Sequence, residues 1–338
     1  MKIGIYGIGS FGFAILQHIS TNQLIKSSVE VIAYDRDKEL INHLQKKRRH
    51  LHHHKKILIQ ENVLFTNNEK DVFSGNDVVI ISITSSAIAH VLKKNTKFIN
   101  KKMILLNTTK ALDKKTARCF SEIVGGMPVI RRHACPLAVI AGGTIASDLF
   151  HHEPLGVDIG CGDPGALKVL KKLFLSDNLN VYTTSDVRGI EYAGAFKNVI
   201  SILAGIVNGC GFSYGSETHL ITRAAFETTR LLKKKISIDP YTFSMYSQCW
   251  GNDLWLSCTG NTRNREFGML IGKGFSPKNA LHTMSSQRKT VEGVNTVQAL
   301  KKFNLSPAFP IFNGIYRIVV KNQKPKKVIL ELMASNQI

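Results

Sequence analysis

The chain has 338 residues, of which 43% are hydrophobic and 20% are charged, a composition typical of a folded protein with a proper core. No apolar run reaches about 18 residues and no signal peptide is recognisable, so the sequence predicts neither a transmembrane span nor a secretory leader. The six cysteines are scattered without a C-x-x-C pair. Free thiols in a reducing cytoplasm are therefore expected, rather than disulfides or a metal site.

The formal net charge is +21. Nucleic-acid binding, a general basic bias of the proteome and a site for anionic ligands are three explanations for it. The densest basic run is KKRRHLHHHKK, residues 46–56. It lacks the interleaved aromatic residues of single-strand binders, and no cysteine or carboxylate nearby completes a metal site with its histidines. We interpret the run as a solvated surface loop near a phosphate-bearing ligand, with incidental charge and nucleic-acid binding as alternatives.

The first half of the chain alternates β-like runs with helical stretches. Strands are predicted at 2–6, 29–34, 63–66, 78–83, 103–107, 138–143, 156–161 and 181–185. Helices are predicted at 11–26, 38–45, 87–92 and 164–175, the last with Asp163 as N-cap and Pro164 at its first position. This alternation with short links favours a doubly wound parallel sheet of the Rossmann type.

The pattern changes after about residue 186. GIEYAGAFKNVISILAGIVNG, ETHLITRAAFETTRLLKKK, PKNALHTM and NTVQALKKF have helical spacing, and β-like runs become scarce. The predicted fold is therefore α/β. A Rossmann-type dinucleotide-binding domain is expected over residues 1–186, followed by a mostly α-helical substrate and catalytic domain over 187–338.

The string GIGSFG, residues 7–12, follows a predicted strand and opens an apolar helix. In this setting Gly7 suits the tight turn, Gly9 the close approach of a pyrophosphate, and Gly12 the packing of helix on strand. The helix N-terminus would offer free N–H groups to the pyrophosphate. A glycine-rich turn without a ligand is the alternative interpretation.

The residues that end the next predicted strand point to two different cofactors. Asp35 suits a ribose 2′-hydroxyl group and favours NAD. Its neighbour Arg36 suits a 2′-phosphate and favours NADP. The sequence therefore predicts NAD or NADP and does not choose between them.

Three polar clusters interrupt the apolar pattern: EYAGAFKN at 191–198, DLWLS at 253–257 leading to TRN at 262–264, and NTTK at 107–110. Lysines on helices are usually exposed, but in a cleft the pKa of Lys197 would fall enough for it to exchange protons with a carbinol. A threonine, an arginine and an asparagine in succession suit a phosphate group. Residues just beyond a strand, as in the third cluster, line the ligand crevice of such sheets.

Together these segments resemble the NAD(P)-dependent glycerol-3-phosphate dehydrogenase family over nearly the whole chain. The segments that carry the resemblance are GIGSFG, NTTKAL, AVIAGGTIASDL, GIEYAGAFKNVISILAGIVNGCGFSYGSETHLITRAAFE, NDLWLSCTGNTRNREFG and VEGVNT. The resemblance implies hydride transfer between NAD(P)H and dihydroxyacetone phosphate. The product, sn-glycerol 3-phosphate, would serve glycerophospholipid synthesis in the cytoplasm.

The resemblance also implies roles for individual residues. Lys197 is the expected proton acceptor from the 2-hydroxyl group and the donor in the reverse reaction, Asp253 orients it, and Lys110 helps to hold the substrate. The other implied substrate contacts are Gly142, Thr144, Asn198, Ser257, Thr262, Arg263 and Asn264. The implied cofactor contacts beyond the glycines, Asp35 and Arg36 are Ser10, Phe11, Lys110, Ala146, Arg263, Thr290 and Glu292.

Several positions depart from the family pattern. Gly143 replaces a proline, which makes the substrate loop less rigid, and Ser257 replaces a threonine. HLHHHKK stands where the family has an asparagine and Tyr-Leu-Pro, and Thr84-Ser85 stands in place of Pro-Ser. The stretch from Asp253 to Arg263 is one residue shorter than the family pattern. Because the proton-transfer and phosphate-binding residues are present, activity is expected.

Other classes of protein compete with this interpretation. One is a related two-domain dehydrogenase that acts on another hydroxy acid or sugar acid, and another is a drifted paralogue that only binds the cofactor. A regulatory or nucleic-acid-binding protein would use the positive charge and would show salt-sensitive DNA retention. We expect a small phosphorylated substrate and no nucleic-acid partner; a homodimer is an open expectation, since helical second domains often carry subunit interfaces.

Overall fold

The computed structural model describes residues 1–100, 103–303 and 305–335. They form two compact units, the first made of Met1–Thr109 and Phe120–Ile190 and the second of Lys110–Cys119 and the described residues from Glu191 onward. The domain boundary between residues 186 and 187 stays a prediction. The sequence did not indicate that a short segment after Thr109 belongs with the helical second unit.

The strands described in the first unit form one sheet. They are β1 (Lys2–Tyr6), β2 (Glu30–Tyr34), β3 (Val63–Thr66), β4 (Val78–Ile81), β5 (Ile104–Asn107), β6 (Leu137–Ala141), β7 (Leu155–Cys161) and β8 (Leu179–Thr184). Their order is β3-β2-β1-β4-β5-β6-β7-β8. From β3 through β6 all neighbours pair in parallel, which confirms the predicted Rossmann-type sheet.

The last two strands depart from the predicted parallel pattern. β7 runs antiparallel to β6, and β8 runs parallel to β7. The link from β6 to β7 contains only the five-residue helix Ala146–Phe150. Such a helix spans about 8 Å, whereas five strand residues span about 16 Å, so it does not return the chain to the start of β6 as a parallel crossover requires.

Helices cover both faces of the sheet. They are α1 (Ser10–Thr21), α2 (Lys38–Lys47), α3 (Glu69–Phe73), α4 (Ser85–Lys94), α5 (Phe120–Val124), α6 (Pro128–His133), α7 (Ala146–Phe150) and α8 (Pro164–Phe174). Val78 and Ile80 of β4 belong to the hydrophobic cluster that includes α1 and α8. Val79 and Ile81 belong to the cluster that includes α3 and α4. The alternation follows from the two-residue period of strand side chains.

Some predicted elements are shorter in the structure. α1 ends at Thr21, although helical spacing extends to residue 26, because Asn22 terminates it. The Asn22 side chain accepts a hydrogen bond from Leu24 N (3.1 Å) and donates one to Leu175 O (2.9 Å). Local side-chain bonds of this kind compete with helix continuation. β4 likewise ends at Ile81, so the last two residues of the predicted strand form the following loop.

The second unit is helical, as predicted. Its helices are α9 (Val187–Gly209), which begins in the first unit, α10 (Tyr214–Leu232), α11 (Asp253–Thr259), α12 (Arg263–Gly272), α13 (Pro277–Ser286), α14 (Gly293–Ala299), α15 (Pro310–Val319) and α16 (Pro325–Ala334). A π-helical turn, Gln248–Asn252, leads into α11. α9 is long and apolar enough in composition to cross a membrane, but its apolar stretch is entirely buried inside the protein. Buried core helices can have the same length and apolar composition as a membrane-spanning helix.

A buried carboxylate caps α15 and predicts a pH-dependent stability. Glu227 accepts hydrogen bonds from Ile311 N (2.9 Å) and Phe312 N (3.3 Å), and burial raises its pKa to about 7. The pKa of this group in the unfolded chain is 4.5, which is lower than in the fold. Glu227 therefore stabilises the fold fully below pH 4.5, and this contribution is lost as the pH rises through about 7. We expect Glu227→Gln to remove about 3 kcal/mol of that pH dependence in urea unfolding between pH 4.5 and 8.

The exposed Glu153 offers the control, Glu153→Gln. Its unfolding free energy should follow the wild-type pH profile. If Glu227→Gln also runs parallel to wild type across this range, the pKa of Glu227 is not raised in the fold and the prediction is wrong.

Candidate active site

The glycine string forms a sharp turn between β1 and α1. Gly7 has a φ of 100°, a conformation that favours glycine, and a Cβ on it would lie 2.6 Å from the carbonyl oxygen of Ser82. A Cβ on Gly12 would overlap the carbonyl oxygen of Gly7. At Gly9, by contrast, an added Cβ meets no atom within 4 Å. The turn is therefore tight where the chain packs on itself and open at its middle glycine.

The open position faces the start of a helix that has no side-chain cap. Gly9 is the N-cap of α1, and no side chain in the described part of the chain caps this end. The first N–H groups of a helix have no partners within the helix, and they attract anions. An open glycine beside uncapped N–H groups fits a dinucleotide pyrophosphate. Ser10 and Phe11 lie in this first turn.

Asp35 is tied to the same turn. Its Oδ2 accepts a hydrogen bond from Ile8 N (3.0 Å), and its Oδ1 accepts one from Asp37 N (3.1 Å). Arg36 beside it is exposed. A carboxylate oxygen can accept a second hydrogen bond, so Asp35 can still receive a ribose hydroxyl group, while Arg36 is free to meet a phosphate. Both NAD and NADP fit these residues.

The histidine-rich loop is the predicted solvated surface loop only in part: its lysines and Arg49 are exposed, whereas His50 is buried. Lys46 and Lys47 are the last residues of α2, and His50 is only 2% exposed. The His50 ring bonds to backbone atoms through both nitrogens and packs edge-on against Phe13 at 5.0 Å between ring centroids. Charge density did not reveal this, because a histidine whose nitrogens are both bonded can be buried among charged neighbours.

The predicted substrate loop of the first unit follows β6. A Cβ on Gly142 would lie 2.5 Å from the carbonyl oxygen of Gly156, so a side chain would displace the neighbouring strand β7. Thr144 N donates to Gly142 O at 2.8 Å, which closes a tight turn before α7. Ala146 is the first residue of α7 and is buried. The substrate and cofactor contacts assigned to these residues stay predictions.

In the second unit a buried cluster joins two lysines to one carboxylate. Lys197 Nζ on α9 donates to Asp253 Oδ1 at 2.9 Å and to Ser257 Oγ at 2.7 Å. Lys110 Nζ donates to the other oxygen of Asp253, Oδ2, at 2.7 Å. The side chains of Lys197 and Asp253 are 9% and 3% exposed. We call these four residues the lysine–carboxylate cluster.

Local structure explains how the cluster assembles. Asp253 and Ser257 lie four residues apart on α11, so their side chains share one face of the helix. Lys110 is held by its backbone: Asn198 Nδ2 donates to its carbonyl oxygen at 2.9 Å, and its N–H donates to Glu292 Oε2 at 3.3 Å. Two neighbouring residues of α9 therefore bind two members of the cluster: Lys197 binds the side chain of Asp253, and Asn198 binds the backbone of Lys110.

The cluster changes the acidity of its members. Burial lowers the pKa of Lys197, an effect that the charge of Asp253 opposes and the charge of Lys110 increases. Burial by itself would raise the pKa of Asp253, but the charges and hydrogen bonds of Lys110 and Lys197 outweigh it, and the pKa is lowered. A lysine whose pKa is lowered while it keeps a carboxylate partner can both donate and accept a proton.

A second network borders this cluster. Asn264 Nδ2 donates to Asn198 Oδ1 at 2.9 Å, and Asn264 Oδ1 accepts from Gly293 N at 3.0 Å. A Cβ on Gly293 would lie 2.9 Å from Asn264 Oδ1, so glycine allows this approach. Gly293 was not among the predicted site residues, although VEGVNT includes it. The network links α9, α12 and α14.

Ser201 is a further residue that was not among the predicted site residues. It lies on α9 one turn after Lys197, and that spacing was the available signal. Its Oγ donates to Ser257 O at 2.5 Å and lies 3.2 Å from Thr262 Oγ1. Thr262 Oγ1 in turn donates to Ser257 O at 2.9 Å. Ser201 and Thr262 therefore fix the end of α11 beside Lys197.

Two predicted site residues lie outside these hydrogen bonds. Arg263 is exposed as the first residue of α12, and Thr290 is exposed before α14. Within residues 1–100, 103–303 and 305–335, neither bonds to the lysine–carboxylate cluster. Their assigned contacts with substrate phosphate and cofactor stay predictions.

A dinucleotide-type sheet together with a buried lysine–carboxylate cluster is characteristic of two-domain dehydrogenases. The family model of the NAD-dependent glycerol-3-phosphate dehydrogenase N-terminus matches residues 2–166. The family model of the corresponding C-terminus matches residues 186–330. The chain belongs to the NAD-dependent glycerol-3-phosphate dehydrogenase family.

Individual relatives agree over the full length. The chain is 30% identical to the glycerol-3-phosphate dehydrogenase [NAD(P)+] of Halothermothrix orenii, over 98% of this chain and 94% of that protein. It is 29% identical to that of a Thermoanaerobacter species, over 100% and 98%. The crystal structure of glycerol-3-phosphate dehydrogenase from Coxiella burnetii has the same fold, with a TM-score of 0.87 at 23% identity and 99% coverage of both chains.

Proposed function

We propose that this protein reduces dihydroxyacetone phosphate to sn-glycerol 3-phosphate with NADH or NADPH, and that the product enters glycerophospholipid synthesis. The observation that carries the proposal is the position of Lys197 Nζ between Asp253 Oδ1 and Ser257 Oγ, in a chain of this family. The cytoplasm is the expected compartment, since the cysteines in the described structure are free thiols.

The nicotinamide, when bound, supplies the hydride in reduction and accepts it in oxidation. Lys197 holds and moves the proton: charged, it donates to the carbonyl oxygen at C2, and neutral, it accepts the proton of the 2-hydroxyl group. Asp253 and Ser257 take two of its hydrogen-bonding directions, and we assign the third to that substrate oxygen. Lys110 adds positive charge beside the same carboxylate, which favours an anionic substrate.

We assign the dinucleotide to two parts of the first unit, the glycine turn and the N-terminus of α1. Gly9 leaves room for the pyrophosphate at the first turn of α1, while Gly7 and Gly12 allow the tight packing of the turn. Ile8, held by Asp35, keeps the turn in place. We assign the discrimination between NAD and NADP to Asp35 and Arg36.

A direct assay tests the proposal. Oxidation of NADH and of NADPH is followed at about 340 nm, the absorbance maximum of reduced nicotinamide, with dihydroxyacetone phosphate, with unphosphorylated dihydroxyacetone and with 2-keto acids. Turnover with the phosphate alone is expected. Turnover only with a 2-keto acid would favour the related dehydrogenase, and nucleotide binding without any turnover would favour a drifted paralogue.

Arg263 is the residue to which we assign the substrate phosphate. Arg263→Ala should raise the KM for dihydroxyacetone phosphate by about tenfold to a hundredfold, because a charged hydrogen bond contributes about 1.5–3 kcal/mol. If Arg263 binds ground and transition states alike, kcat is unchanged in steady-state kinetics. The exposed Lys278 of α13 provides a control, Lys278→Ala. A loss confined to kcat would give Arg263 another role.

A further inference from the structure

The loop from Arg48 to Lys56 makes contacts with the glycine turn that the proposed function leaves unused. It contains four histidines and is one of the segments where this chain departs from the pattern of the family it resembles. His54 Nε2 lies 3.1 Å from Ser10 Oγ, and its ring packs on Phe150 at 4.4 Å between centroids. His54 has a φ of 45°, a costly conformation for a residue other than glycine. These contacts hold the loop against the first turn of α1.

His50 is the member of this loop that reaches the turn itself. Its Nε2 lies 2.8 Å from the carbonyl oxygen of Ile8, the residue between Gly7 and Gly9. Its Nδ1 lies 3.0 Å from His52 N and 3.1 Å from His53 N. A carbonyl oxygen only accepts and a backbone N–H only donates. The ring is therefore neutral, with its proton on Nε2 and a lone pair on Nδ1.

Two side chains thus hold both backbone polar groups of Ile8. Asp35 Oδ2 accepts from Ile8 N at 3.0 Å, and His50 donates to Ile8 O. Ile8 is itself fully buried, so neither group has water as an alternative partner. The peptide on each side of Ile8 belongs to a glycine, which by itself would leave the turn free to rotate. The pair fixes the orientation of the turn at its centre.

We infer that His50 is a positioning residue for the dinucleotide site, holding the Gly7–Gly9 turn in the conformation that receives the pyrophosphate. The inference rests on the proposed function for its ligand, but the clamp on Ile8 is a property of the protein without ligand. Burial lowers the pKa of His50 to about 4, in agreement with a neutral ring at physiological pH. His50 does not touch the reacting atoms and acts through the backbone of Ile8.

The first measurement uses the full-length protein without ligand. Amide hydrogen exchange at Ile8 is compared in wild type, His50→Phe, which keeps a ring but no bonding nitrogen, and His50→Gln, which keeps one donor and one acceptor. Exchange at Ile8 should be about tenfold faster in His50→Phe, with His50→Gln in between. In wild type, nitrogen-15 shifts should report the neutral Nε2–H tautomer. A charged ring or the Nδ1–H tautomer would overturn the clamp.

The second measurement is the binding of NADH and NADPH by fluorescence titration. The dissociation constant should rise about tenfold in His50→Phe and less in His50→Gln, with kcat and the KM for dihydroxyacetone phosphate unchanged at saturating cofactor. His43→Gln on α2 is the matched control and should leave binding and exchange unaltered. A merely structural role would lower thermal stability without the selective change in cofactor affinity.

The outcomes separate the two proposals. Unchanged exchange at Ile8 and unchanged cofactor affinity in His50→Phe would overturn the role of His50. If His50→Phe does not fold, the same two measurements on His50→Gln decide the question. If wild type binds neither nucleotide, the proposed function fails, whereas the exchange and tautomer measurements still decide whether His50 holds the turn.

Discussion

Replacing Lys197 by methionine is expected to lower kcat for dihydroxyacetone phosphate reduction by about 10²–10⁴-fold, the usual contribution of a general acid. Methionine fills the space of the lysine stem and removes the exchangeable proton. Asp253 keeps Lys110 at 2.7 Å, so the buried carboxylate retains a partner and the fold should persist. Nucleotide affinity should change little, because the glycine turn belongs to the first unit. Steady-state kinetics and fluorescence titration measure the two effects.

The pH profile and added amines distinguish proton transfer from packing. Because burial lowers the pKa of Lys197, glycerol 3-phosphate oxidation by wild type should rise with pH around a midpoint below 10.5, while reduction falls over the same interval. Lys197→Ala should regain part of its rate with an added primary amine. The exposed Lys233→Met is the control. If Lys197→Met turns over as fast as wild type, Lys197 does not transfer the proton and the prediction is wrong.

Short-range sequence patterns allowed the sheet of the first unit and the glycine turn to be predicted. β1 and β3 have the predicted bounds, because alternating or continuous apolar runs end at glycine or polar residues there. The turn after β1 was recognisable because strand, glycine spacing and apolar helix follow one another directly. α8 begins at Pro164 as predicted, since Asp163 Oδ1 accepts from Ala166 N at 2.7 Å. Each signal lies within a few residues of its effect.

Features that depend on distant residues were not predictable in this way. The reversal of β7 depends on the length of α7, which the apolar pattern does not define. The segment Lys110–Cys119 joins the helical unit through bonds such as Leu112 N to Thr296 Oγ1 at 3.3 Å. These partners are 184 residues apart, more than half the length of the chain. No periodicity in either segment shows the pairing.

The candidate site shows the same division. The resemblance supplied Lys110, Lys197 and Asp253, and the structure adds their hydrogen bonds and burial. Charge density made the loop around His50 look solvated, because composition does not show which histidine has both nitrogens bonded. Ser201 was missed since a serine within an apolar helix is common, and only the 2.5 Å contact with Ser257 O distinguishes it.

Replacing Asp253 by asparagine is expected to lower both stability and activity. Lys110 and Lys197 lose the carboxylate that each contacts within 3 Å, and two buried ammonium groups then face each other. Breaking a buried ion pair by removing one partner costs about 3–5 kcal/mol. Loss of the orientation of Lys197 should lower kcat by about 10²-fold. Urea unfolding and steady-state kinetics measure the two losses, with the exposed Asp177→Asn as control.

A second substitution separates charge balance from catalysis. Wild type has two lysines and one carboxylate in the cluster, a formal charge of +1, and Lys110→Met combined with Asp253→Asn restores that charge with Lys197 alone. The double variant should therefore regain part of the lost unfolding free energy, while kcat stays low because nothing orients Lys197 as Asp253 did. Recovery of activity together with stability would show that Asp253 only balances charge. Unchanged stability in Asp253→Asn would show that the ion pairs of Asp253 do not stabilise the fold.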